Sequence, residues 1–127
     1  MIVVDASAGV LGLLNDGDAR RRLAADSVAV PHLADPEVAH ALRAQLIRGE
    51  VTEDQAHQAL SVWVRLGIRR FAMVGLLGRV WELRENVTAY DACYIALAEA
   101  LDVPLVTADA RLGLAAGPRC QITVIRS

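Results

Sequence analysis

Short apolar runs alternate along this chain with stretches of helical pattern, and that alternation constrains the fold more than any other feature. Ile2–Val4, Val28–Val30, Pro104–Thr107 and Ile122–Ile125 read as strands, and Ile68–Met73 is a weaker candidate. They are continuously apolar, as strands buried on both faces are. Helices are predicted from Ser7 to Leu14, from Asp18 to Ala25, and from Asp35-Pro36-Glu37 to Arg48 with Gly49 as the stop. A capping box at Thr52–Gln55 opens another, with Ala56, Leu60, Trp63 and Val64 at helical spacing. Val74–Arg84 and Thr88–Leu101 follow, and a short helix opens at Asp109 and stops near Gly117. Strands alternating with helices imply an α/β fold with a parallel sheet covered on both faces.

The length of 127 residues suits one domain, 1–127, able to bury a real core. No apolar run approaches the roughly 20 residues a membrane span needs, and no membrane partner is expected. The chain starts MIVVDAS, without the basic start of a secretory signal, so a cytoplasmic location is expected. Cys93 and Cys120 lack metal-site or CxxC spacing and read as reduced interior residues. With 13 basic and 15 acidic residues the net charge is −2, which argues against a strongly basic nucleic-acid coat protein. All 13 basic residues are Arg, which suits bidentate contact with phosphate.

Four carboxylates stand where apolar runs give way to helices: Asp5, Glu37, Asp91 and Asp109. In an open parallel sheet such positions share the edge where ligands bind. Four acids meeting there repel one another unless a cation sits among them, and a hard divalent ion is the natural candidate. Each acid also has a plain structural explanation. Asp35 can cap its helix with Pro36 at the first helical position and Glu37 near the positive dipole end. Thr88-Ala89-Tyr90-Asp91 matches a capping box. Capping therefore accounts well for Glu37 and Asp91, and poorly for Asp5 and Asp109 at strand ends, where an acid interrupts the core. Ser7 and Thr107 can support the acids by hydrogen bonds; Ser7 can equally cap a helix, and Thr107 suits a strand.

At these residues the chain resembles the PIN-domain ribonucleases, VapC-type toxins in particular. Val3-Val4-Asp5-Ala6-Ser7 is similar to that family's opening motif, and Pro36-Glu37-Val38-Ala39-His40-Ala41-Leu42-Arg43 to its second. Thr88-Ala89-Tyr90-Asp91-Ala92-Cys93-Tyr94-Ile95-Ala96-Leu97-Ala98 resembles the third, and Leu105-Val106-Thr107-Ala108-Asp109-Ala110-Arg111-Leu112 the fourth. Trp81-Glu82-Leu83-Arg84-Glu85-Asn86 is similar to a stretch common in such toxins. Glu37 matches the family's Glu; Asp35 is the alternative.

The resemblance implies a PIN-like three-layer sandwich and an acidic pocket that binds Mg²⁺ or Mn²⁺. It implies endonucleolytic cleavage of RNA, inhibition by a cognate antitoxin protein, and a homodimer or a toxin–antitoxin hetero-oligomer. Asp5 and Asp91 are then the primary metal ligands, because Mg²⁺ takes only one or two protein carboxylates directly. Glu37 and Asp109 act as outer-sphere ligands, ligands of a second metal, or orienters of the attacking water.

The alternatives are a metal-dependent DNA nuclease or phosphatase, or a non-catalytic partner-binding domain. A phosphatase with an Asp nucleophile would carry a second Asp two residues on, where Ser7 stands; a phospho-acceptor domain would want a pocket Lys, and there is none. Arg20-Arg21-Arg22 reads as a solvated helix face, His32, His40 and His57 as surface or packing residues, and Trp63 and Trp81 as core or interface. The helices over 52–66 and 74–85 offer apolar surface for a partner or a core.

Overall fold

Five strands form one parallel sheet in the order β3-β2-β1-β4-β5: β1 Ile2–Val4, β2 Val28–Pro31, β3 Arg69–Phe71, β4 Leu105–Thr107 and β5 Ile122–Val124. The computed structural model describes residues Met1–Ser127 throughout. Seven α-helices connect the strands: α1 Ala6–Leu14, α2 Asp18–Ala25, α3 Ala34–Ile47, α4 Glu53–Arg65, α5 Leu77–Glu82, α6 Ala89–Leu101 and α7 Ala110–Gly113. Val3 pairs with Ala29 on one side and Leu105 on the other, so β1 is central.

The chain winds outward from β1 through β2 to β3, then crosses back to β4 and β5. Right-handed crossovers taken in opposite directions place their helices on opposite faces. Accordingly α1 packs on α2, α3 and α4, while α5 packs on α6, giving helix, sheet and helix layers. The reversal falls between β1 and β4, and Asp5 and Asp109 lie just beyond their ends. That is the topological switch point, where open α/β sheets bind ligands.

Every residue of β1, β2 and β4 is buried. In α6, Ala92 through Ala98 are buried without a break, so this helix is packed on all sides. Gly12 lets α1 approach α2, since a Cβ there would meet Leu23 Cδ1 at 2.6 Å and the backbone of Ala19 at 3.1 Å.

Several expectations need correction. Val74–Arg84 is a 3-10 turn, Val74–Leu76, followed by the six-residue α5, because Gly75 and Gly78 weaken a continuous helix. The helix after Asp109 ends at Gly113, well short of Gly117. Val64 is 72% exposed, whereas Ala56, Ala59 and Trp63 form the buried face of α4. The helix α3 begins two residues earlier than expected, with Leu33 rather than Asp35 as N-cap; Asp35 and Pro36 are its second and third residues. Pro36 is tolerated because first-turn amides have no partner within the helix. Cys93 is buried and Cys120 half-buried, both free thiols.

Candidate active site

Among all the buried residues, only Asp5 and Thr107 are polar. Burying a carboxylate is unfavourable unless hydrogen bonds replace its water. Asp5 Oδ1 accepts from Ser7 Oγ at 2.6 Å and from the Ala8 amide at 3.0 Å, and Oδ2 accepts from Thr107 Oγ1. The two hydroxyls accept in turn: Ser7 Oγ from the Ala108 amide at 2.9 Å, and Thr107 Oγ1 from the Asp109 amide at 3.0 Å. The ends of β1 and β4 are thus joined by one donor–acceptor relay, and the turn that carries Asp109 is anchored to Asp5.

Asp5 is itself the N-cap of α1, and Asp109 the N-cap of α7, accepting from the Arg111 amide at 3.0 Å. Ser7 is not a cap; it lies in the first turn of α1 and serves Asp5. The expected capping roles are therefore reversed: Asp5 and Asp109 cap helices, and Glu37 and Asp91 do not. A strand-ending residue already has the extended backbone an N-cap needs, so Asp5 and Asp109 cap readily. Glu37 is the fourth residue of α3, too far in to cap, and its amide already bonds to the Leu33 carbonyl. At α6 the cap is Thr88, whose Oγ1 accepts from the Asp91 amide, and the Asp91 carboxylate does not complete a capping box with the Thr88 amide.

Asp35 and Glu37 are separated by their partners. Asp35 Oδ1 accepts from Trp63 Nε1 at 2.8 Å, and Arg70 grips both its oxygens at 2.8 and 3.0 Å. The Arg70 guanidinium holds its carboxyl below the usual range, and the group ties α3 to β3 and α4. Glu37 Oε1 accepts from Tyr94 Oη at 2.6 Å, on the α6 side. It feels the charges of Asp91 and Asp5, so the structure groups Glu37, and not Asp35, with the other acids.

The electrostatics are those of a crowded acidic cluster. Burial is the largest influence on Asp5, Glu37 and Asp91, and it pushes all three carboxyls up. Asp91 raises Asp5 and Glu37 further, and Asp109 raises Asp91. Against this, the Ser7, Thr107 and Ala8 hydrogen bonds favour charged Asp5, and Tyr94 favours charged Glu37. Asp109 differs: Arg111 binds both its oxygens at 3.2 Å and holds it low. Tyr94 and Arg111 were not singled out from sequence. Tyr94 lies three residues after Asp91, on the same face of α6, and that spacing was the available signal.

The donor set suits a hard divalent cation. Asp5, Glu37 and Asp91 offer hard oxygens, and no protein cation is bonded to any of them. No three His, Cys, Asp or Glu side chains converge tightly enough to enclose an ion. The set fits an ion that keeps much of its water, as Mg²⁺ does, and not a fully caged one. A cavity of about 530 Å³ opens beside Asp91 and Asp109, lined also by Arg84, Asn86, Thr88 and Arg111.

Comparison with known proteins places the chain in a family. The PIN domain family model matches residues 2–118. The chain is 50% identical over 125 residues to Ribonuclease VapC9 of Mycobacterium tuberculosis, covering 98% of each. It is 45% identical over 129 residues to Ribonuclease VapC1 of the same organism, covering 98% of this chain and 97% of that one. The crystal structure of VapBC2 from Rickettsia felis bound to a DNA fragment from their promoter matches in fold. Its TM-score is 0.68 at 16% identity, covering 98% of this chain and 99% of that one.

Proposed function

This chain belongs to the PIN-domain family, and from that premise we propose that it is a VapC-type endoribonuclease whose catalytic residues are Asp5, Glu37, Asp91 and Asp109. It acts as the toxin of a toxin–antitoxin pair, as one domain over residues 1–127, on RNA in the cytoplasm. The observation that carries the reading is three mutually repelling carboxylates, each raised by burial and none ion-paired with a protein cation. No helix of the protein is long and apolar enough to cross a membrane.

PIN-domain ribonucleases depend on divalent metal; here Asp5 and Asp91 are the residues that would hold Mg²⁺, or Mn²⁺ in its place. Bound there, the ion supplies a more acidic water and neutralises charge on the phosphate. The protein's own groups do the rest. Ser7 and Thr107 fix the Asp5 carboxylate so that Oδ2, with a single protein partner, keeps a lone pair free for the site. Tyr94 fixes Glu37 through Oε1 and leaves Oε2 free to orient the attacking water. Arg111 keeps Asp109 ionised and sets a positive charge where an RNA phosphate would enter.

The antitoxin has a place to dock on the other side of the helical layer. A groove of about 700 Å³ runs between α1, α2 and α4, with Leu14, Leu23, Val62 and Leu66 among its lining. The protein works as a homodimer or as a toxin–antitoxin hetero-oligomer. The deciding experiment is RNA cleavage by Asp5→Asn and Asp91→Asn with Mg²⁺ and with EDTA. Near wild-type activity in both variants sinks the assignment.

A further inference from the structure

We propose that Arg84, held in place by Trp81, is the first phosphate-binding residue of the RNA track leading to the carboxylates. The inference rests on the ribonuclease reading and adds to it a substrate-positioning pair outside the acidic cluster. Exposed arginines are ordinarily mobile, and ordering one costs side-chain entropy. Arg84 is ordered from two directions. Its guanidinium carbon lies 4.8 Å from the centre of the Trp81 ring, and Nη1 donates to the Trp81 carbonyl at 3.0 Å. Both contacts hold the planar group without neutralising it.

The charge on Arg84 is uncompensated. Glu82 and Glu85 flank it in sequence, yet Arg84 enters no ion pair. Its remaining N–H groups have no protein partner. A planar cation with a free donor fork matches a phosphate. Trp81 is 67% exposed, an unusual position for so large an apolar ring unless it serves a purpose at the surface. Cation–π contact with Arg84 gives it one.

Position supplies the substrate. Arg84 lines the same cavity as Asp91 and Asp109, together with Asn86, Thr88 and Arg111. A polyanion nearing an acidic cluster is repelled until a cation offsets that field. Arg111 is partly spent on Asp109, whereas Arg84 is free. The phosphate Arg84 takes is therefore a neighbour of the scissile one, and the contact is indifferent to base identity.

The test uses a short labelled single-stranded RNA, with Asp5→Asn as a non-cleaving background. Arg84→Ala is expected to weaken binding roughly tenfold at low salt, the worth of one charge-assisted contact. It should also lower the slope of log affinity against log salt by about 0.7, the signature of one lost single-strand phosphate contact. With Asp5 intact, KM rises and kcat holds. Trp81→Leu should reproduce part of the loss and Trp81→Phe restore it, while Arg21→Ala on the outer face of α2 changes neither affinity nor slope. Unchanged affinity and salt slope in Arg84→Ala, while the parent protein still binds and cuts RNA, overturn the proposal. So does a loss confined to antitoxin binding. A parent that neither binds nor cuts RNA removes the ribonuclease reading itself, so the two failures are told apart.

Discussion

Tyr94 donates its hydroxyl to Glu37 Oε1 at 2.6 Å, and this one bond spans 57 residues to join α6 to the start of α3. The ring is 1% exposed, and burial together with charged Glu37 keeps the phenol protonated. In Tyr94→Phe the ring still packs, but Glu37 loses the bond that favours its charged form. The Glu37 carboxyl then rises further, and the acid limb of the pH–rate profile moves to higher pH. A profile that coincides with wild type would remove Tyr94 from the site.

Asp35 and Glu37 should separate cleanly by their readouts. Asp35→Ala leaves the indole N–H of buried Trp63 without its acceptor, at a cost of about 1–3 kcal/mol in chemical denaturation. Its cleavage rate at permissive temperature stays near wild type. Glu37→Gln should abolish most cleavage with little loss of stability, because Gln can still accept from Tyr94. The opposite pattern would give the site to Asp35.

Thr107→Val removes a donor to Asp5 and the acceptor of the Asp109 amide in one step. An unsatisfied buried group of this kind costs about 1–3 kcal/mol. Asp5 also loses a bond that lowers its carboxyl, so activity should need a higher pH. Equal stability and an unshifted profile would show that the relay is dispensable.

Folding stability of the metal-free protein should depend on pH in an unusual direction. The folded carboxyls of Asp5, Glu37 and Asp91 are raised above 3.8, 4.5 and 3.8 respectively. Their contribution is fully present below those unfolded values and is lost as pH climbs through the folded ones. Asp35, Glu99 and Asp109 are depressed, so theirs is lost only as pH falls further. Melting temperature should therefore rise as pH falls from neutrality towards the ordinary carboxylate range. Asp91→Asn should flatten that rise.

Divalent cation should reverse the trend, because it binds the ionised carboxylates and so the folded state. Mn²⁺ is expected to raise the melting temperature at neutral pH in the wild type and to leave the Asp5→Asn, Asp91→Asn double variant unmoved. An equal rise in both would place the ion elsewhere.

The sequence was most legible where a local rule met an unambiguous residue type. The strands β1, β2 and β4, the long α6 and the Thr52–Gln55 capping box follow from adjacent residues alone. The four acids could be found because strand ends fall on one edge of a parallel sheet. What could not be read was pairing across the chain. Asp35 is an equally good acid until Arg70 and Trp63, 35 and 28 residues away, claim it. Trp81 and Val64 fit an apolar helical pattern, yet nothing local says that those faces have no neighbour. The capping readings of Asp35 and Asp91 fail for a related reason. Motif spacing shows that a cap bond is possible, while the competing partner of each side chain comes from another element.

The relay joining Asp5 to Thr107 spans 102 residues and has a consequence for synthesis. Until Thr107 and Asp109 leave the ribosome and β4 settles beside β1, Asp5 lacks one of its two hydroxyl donors and the fourth acid is missing. A nascent chain that has already folded β1 to β3 with their helices is thus still no nuclease. The destructive activity arrives with one of the last strands to be made, so the unfinished protein cannot cut the RNA around it while it is being translated.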